Sequence, residues 1–88
     1  MKTILFYWSR GAETRVRLLK LIEKTEKKGG ACYLNTLARQ LRLSHVAIKK
    51  HLDLLVEGKY VRILNPKGKP HYLALTEEGK RTAKEFSG

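Results

Sequence analysis

The sequence predicts a mainly α fold carrying one small β-hairpin, and three observations predict it. Behind Ser44, a good N-cap, Ile48, His51, Leu52 and Leu55 recur at i, i+3, i+4 and i+7, so one stripe of a helix faces a core. Just upstream, NTLARQL (residues 35–41) is a second short amphipathic segment only a few residues away, the spacing of a helix-turn-helix. Downstream, two short apolar runs flank the basic, Pro- and Gly-punctuated segment PKGKP, which reads as a two-stranded ribbon with a cationic tip. Helix-turn-helix and ribbon together make a winged helix-turn-helix.

Taken in order, residues 1–8 hold the apolar run Ile4, Leu5, Phe6, Tyr7 and Trp8, without clean alternation, which suggests a strand or an extended arm. Three of the seven aromatic residues fall there, and burying them asks for more surface than one small subunit offers. Phe6, Tyr7 and Trp8 are therefore expected at a homodimer contact. Residues 12–28 read as the first helix, with Val16, Leu19 and Ile22 on one stripe and Leu18 and Leu21 widening it towards a partner. Glu13 with Arg17 and Glu23 with Lys27 have the favoured i, i+4 order, and Gly29 and Gly30 stop the helix.

Ala31 to Leu34 suggests a very short strand pairing with the later hairpin, after which Asn35 or Thr36 caps the next helix. The helix-turn-helix then spans 35–57 and ends at Gly58. The wing hairpin spans 61–75, with strands Val61 to Leu64 and His71 to Leu75 around the turn at 65–70. Thr76 caps a C-terminal helix over 77–86, whose Phe86 is expected to join the dimer contact. No repeat, low-complexity tract or linker interrupts the chain, so residues 1–88 are expected to form one winged-helix domain.

Charge narrows the function classes. Nineteen Lys and Arg against eight Asp and Glu give +11, with a pI near 10.1, the electrostatic footprint of a polyanion binder. From Lys27 to Leu52 six Lys and Arg meet no acid, and from Gly58 to Thr76 four more are again unopposed. The positive excess thus lies on the segments a winged helix presents to DNA. The single cysteine, Cys32, excludes an intramolecular disulfide and a thiolate cluster, which fits a reduced, cytoplasmic setting. The N-terminal apolar run is too short to span a membrane and no cleavage site follows it.

The run from Tyr33 to Lys80 resembles the winged helix-turn-helix of the arsenic-repressor (ArsR-like) and multiple-antibiotic-resistance-repressor (MarR-like) families, especially small archaeal regulators. Leu37-Ala38 followed by Leu41, the Leu43-Ser44 turn, Ile48, His51-Leu52, Leu55, Gly58, Val61 and Leu75-Thr76-Glu77-Glu78-Gly79-Lys80 carry the resemblance. It covers a little over half the chain and implies DNA binding, without naming a promoter or signal. One departure is Arg42, where such turns usually carry Gly; at positive φ a non-Gly residue costs roughly 1 kcal/mol. The metal-binding cysteine motif of the arsenic-type repressors is absent.

Ser44, His45, Val46, Lys49 and Lys50 occupy the start and outer face of the third helix, where contact with the major groove is expected. Lysine donates equally to guanine or to phosphate, and Val46 suits a thymine methyl. No Arg, Asn or Gln lies on the exposed part of that helix, which points to modest specificity. Arg39 and Arg42 are expected phosphate anchors, and Arg62, Lys67 and Lys69 are expected to hold the flanking backbone from the wing. His45, His51 and His71 have no metal-ligand spacing, and no nucleophile, carboxylate pair or phosphate-binding loop stands out. No metal, cofactor or enzymatic activity is therefore expected. The primary expectation is a homodimeric regulator that binds double-stranded DNA. The alternatives are a low-specificity chromosome-coating protein and a winged-helix adaptor that docks protein or RNA.

Overall fold

The computed structural model describes residue 6 and residues 11–30, 32–68 and 72–87. Four helices and one antiparallel hairpin make up the named elements: α1 (Ala12–Lys27), α2 (Leu34–Leu41), α3 (His45–Glu57), β1 (Val61–Ile63), β2 (Leu73–Leu75) and α4 (Glu77–Ser87). The α1 helix packs against α3, β2 and α4, while α2 and β1 both pack on α3. A single apolar cluster lies between them, including Leu18, Leu19, Ile22, Leu37, Ile48, Leu52, Leu55, Val61, Leu73, Leu75 and Ala83. Each large aliphatic side chain taken out of water there contributes roughly 1.5–3 kcal/mol.

The first three helices end in the same way. A residue just past each helix takes a left-handed conformation, and its amide and the next one bond back to carbonyls three and five residues earlier, closing a Schellman motif. In α1 Gly29 (φ 76) plays that part, with Gly30 N donating to Thr25 O at 3.1 Å. In α2 it is Arg42 (φ 57), with Leu43 N donating to Ala38 O at 3.0 Å. In α3 it is Lys59 (φ 66) rather than Gly58 (φ −78), with Tyr60 N donating to Leu55 O at 2.9 Å. The strained position expected at Arg42 is present, and Lys59 adds a second one.

Several expectations are corrected. Phe6 has helical backbone, not that of a strand or extended arm. Phe6 and Leu18, expected at a subunit contact, are buried in the chain's own core, Leu18 completely. Phe6 meets Tyr60 edge-on at 5.0 Å and Phe86 at 6.0 Å, and a covered face has no surface left for a partner. The buried stripe of α1 runs through Ala12, Arg15, Leu18, Leu19 and Ile22, so Val16 is only half-buried. Tyr7 and Trp8 lie outside the described residues.

The second helix begins at Leu34, capped by neither Asn35 nor Thr36. Tyr33 holds the N-cap position with extended backbone (φ −112, ψ 151) because it forms a β-bridge with Tyr72. This is the short third strand expected near Ala31 to Leu34, reduced to one bridge plus the bond from Leu73 N to Cys32 O at 2.9 Å. The β1 and β2 strands pair Val61 with Leu75, Arg62 with Ala74 and Ile63 with Leu73. They are shorter than the expected runs, although Leu64 N still donates to Tyr72 O at 2.9 Å.

Thr76 joins the hairpin to α4. Its hydroxyl accepts from Gly79 N at 3.0 Å as a helix cap and donates to Lys59 O at 2.5 Å, tying the start of α4 to the end of α3. Gly79 is required there: a Cβ would collide with the carbonyl of Tyr60, which is rigid backbone.

Candidate nucleic-acid interface

The start of α3 is built by Ser44, whose extended backbone (φ −68, ψ 157) breaks the chain into the helix and whose Oγ accepts from Ala47 N at 3.1 Å. Ile48, Leu52 and Leu55 then turn into the core. Ser44, His45, Val46, Lys49 and Lys50 are left exposed on the outer face, with Val46 as much as 67% exposed. Lys49 Nζ lies 3.3 Å from both carboxylate oxygens of Asp53 one turn on, an exposed pair. Lys50 forms no ion pair among the described residues.

Between α2 and α3 lies an open recess lined by Asn35, Arg39, Arg42, Leu43 and His45. Arg39 and Arg42 are both exposed, and the turn brings both beside the first residue of α3. Asn35, absent from the sequence-based set, holds that residue: His45 Nε2 is 2.8 Å from Asn35 Oδ1. No signal in the chain announces a contact ten residues apart, because it depends on the angle at which the two helices meet.

On the hairpin, Arg62 points away from the core on β1 and Lys67 is exposed in the wing. The base of the wing is fixed by Asn65, whose Oδ1 accepts from Tyr72 N at 2.7 Å while its carbonyl accepts from Gly68 N at 2.9 Å. Across it the Tyr33 and Tyr72 rings pack at 4.8 Å. Lys69 and His71 lie outside the described residues.

Behind α3, Arg15 is only 3% exposed and its Nη1 lies 3.2 Å from His51 Nδ1. Because a guanidinium only donates, Nδ1 accepts and the proton of the neutral ring sits on Nε2. Burial, and then the charge of Arg15, push the His51 imidazole below its ordinary value, and burial lowers Arg15 as well. Gly11 (φ 84) leaves room for this contact, since a Cβ there would strike the His51 ring. Cys32 is buried and its thiol is pushed up to about 11 by burial, with a hydrogen bond from Thr25 opposing and Glu26 adding to the rise. Such a thiol stays protonated near neutrality and is a poor nucleophile.

Among the described residues no group of three or more His, Cys, Asp or Glu side chains could hold a metal ion. Among the same residues no helix is long and apolar enough to cross a membrane.

Solved structures share this geometry. AF1382 from Archaeoglobus fulgidus superposes with a TM-score of 0.78 at 18% identity, over 93% of this chain and 87% of that one. A cysteine-to-serine mutant of ZitR from Lactococcus lactis gives 0.71 at 22% identity, over 85% of this chain and 49% of that one. The reduced form of MarR from E. coli gives 0.68 at 19% identity, over 82% and 52%. The chain thus spans about half the length of ZitR. No protein-family model matches the chain, and no curated protein is similar to it. At these identities the likeness is one of fold: the chain has the winged helix-turn-helix fold of MarR-type regulators.

Proposed function

We propose that the chain is a regulator of transcription that binds double-stranded DNA, with the start of α3 in the major groove and the basic wing on the flanking backbone. One observation carries this reading. The recognition helix offers its solvent face through Ser44, His45, Val46, Lys49 and Lys50, beside Arg39 and Arg42 at a turn without acidic residues. Arg62 and Lys67 extend the cationic surface along the hairpin as phosphate contacts, and Lys69, outside the described residues, is assigned the same role from the sequence. MarR-type neighbours in the same fold support a regulator over an enzyme.

A dimer is part of the proposal, since two recognition helices about one duplex turn apart, roughly 34 Å, read a pseudo-palindrome. Leu21 and Phe86, both half-buried, with Tyr7 and Trp8, are the residues assigned to that contact. A cytoplasmic location, without cofactor or membrane, completes the reading.

The ion pair between Lys49 and Asp53 favours a second reading, a chromosome-coating protein of low specificity, because it diverts one of the two lysines on the groove face. Competition of a labelled duplex with random duplex and with RNA separates these readings. A regulator prefers its own site, a coating protein accepts random duplex equally, and an RNA- or protein-docking adaptor yields to RNA or ignores nucleic acid.

A further inference from the structure

Asn35 and His45 stand in the first turns of the two helices of the helix-turn-helix, and the 2.8 Å contact between them joins two exposed side chains ten residues apart. The oxygen of the asparagine amide only accepts, so the imidazole must donate through Nε2. A neutral ring has one N–H and one lone pair. With the proton on Nε2, the lone pair lies on Nδ1.

From this pair we infer that Asn35 is a positioning residue that holds His45 as a hydrogen-bond acceptor, so that the first residue of α3 selects a base bearing an amino group. In the major groove those bases are adenine, through N6, and cytosine, through N4. Guanine presents only acceptors there and thymine an acceptor and a methyl group, so both leave the Nδ1 lone pair without a donor. The inference rests on the DNA-binding reading and deepens it. It also answers a gap in α3, whose exposed face has no Arg, Asn or Gln to read bases in pairs of bonds. Asn35 supplies the amide from the neighbouring helix and acts through the histidine.

The remaining residues on this face make the selection local. Val46 offers an apolar surface one residue on, and Lys50 a cation about one turn further along the helix. Val46 does not distinguish an amino group from a carbonyl, and Lys50, which only donates, favours a carbonyl or ring-nitrogen acceptor or a phosphate, so neither can account for a chosen amino group. One position in each half-site is therefore expected to favour adenine or cytosine by roughly five-fold, the low end of what a single base step contributes.

The test uses the full chain at pH about 8, above the ordinary histidine range. Nitrogen-15 NMR of the imidazole assigns the tautomer, and selection from randomised duplex measures base preference for the wild type, Asn35→Ala and Asn35→Asp. The expected result is an Nε2–H ring in the wild type and a preference for adenine or cytosine at one position. Asn35→Ala loses that preference while its salt dependence on random duplex is unchanged. Asn35→Asp keeps an acceptor for Nε2–H and so keeps the preference, although its added negative charge weakens binding to all duplexes together. Circular dichroism confirms that both variants are folded. An Nδ1–H tautomer, a selected guanine or thymine, or an Asn35→Ala protein with the wild-type preference overturns the inference. Failure to retain any duplex overturns the DNA-binding reading and this inference with it.

Discussion

Replacing Arg42 by glycine should move stability and DNA binding in opposite directions. Arg42 sits at φ 57 and ψ 43, where an L side chain crowds its own backbone and glycine does not. Relief of that crowding gives about 1–2 kcal/mol, from which the greater freedom of glycine in the unfolded chain subtracts a few tenths to about 1. The net expectation is a gain of about 0.5–1 kcal/mol. For a domain of this size that raises the Tm by about 2–8 °C. The same substitution removes a guanidinium from the recess beside His45. Each lost phosphate contact takes about 0.9 from the slope of log K against log salt, so a dimer loses about 1.8. Lys59→Gly is the control: Lys59 has the same left-handed backbone (φ 66) but lies at the far end of α3. It should gain as much stability with an unchanged salt slope. Thermal unfolding followed by circular dichroism and duplex titration by fluorescence anisotropy give both quantities. If neither glycine variant is stabilised, the account of the helix ends is wrong; if Arg42→Gly keeps the full salt slope, Arg42 is not a phosphate anchor.

Protonating His51 opposes its contact with Arg15, and its value in the folded protein is lowered by burial and by that charge. A lowered folded value means the stability is complete above the ordinary histidine range, about 6.5, and is lost as pH falls through the folded value. Urea midpoints at pH about 8 and about 5 should therefore fall more for the wild type than for His51→Phe, and equal falls would exclude His51 as the source. Gly79→Ala should destabilise by about 1–3 kcal/mol despite the better helix propensity of alanine, because the new Cβ meets the Tyr60 carbonyl; an unchanged urea midpoint would contradict that approach. Lys67→Ala with Lys69→Ala should weaken all duplexes about equally, whereas Lys49→Ala with Lys50→Ala should also alter sequence preference, since phosphate contacts position and base contacts specify. Matched and scrambled duplexes check this, and two folded double variants with wild-type affinity would displace the proposed face.

The helix-turn-helix was legible because its determinants are local. Ser44 caps the helix its position announces, as Thr76 does for α4; Ile48, Leu52 and Leu55 repeat with the helical period, and Arg42 marks a turn that glycine would favour. Sequence and structure part where distant segments meet. The sequence pattern places Leu18 beside the stripe of Val16, Leu19 and Ile22, whereas the packing of α1 against α3, β2 and α4 buries a wider arc that includes Leu18 and Arg15. Tyr33 displaced Asn35 and Thr36 as the N-cap because Tyr72, on the other side of the wing, holds it extended. The outward face of α3 could be read from periodicity, whereas the hold of Asn35 on His45 required the angle between two helices.

The most direct measurement is the affinity of the full chain for a labelled duplex from low to high salt. Neutralised phosphates release condensed counterions, and a dimer making about five or more such contacts predicts a log-log slope of about −4.5 or steeper. A flat line would contradict the assignment of this cationic winged helix to DNA.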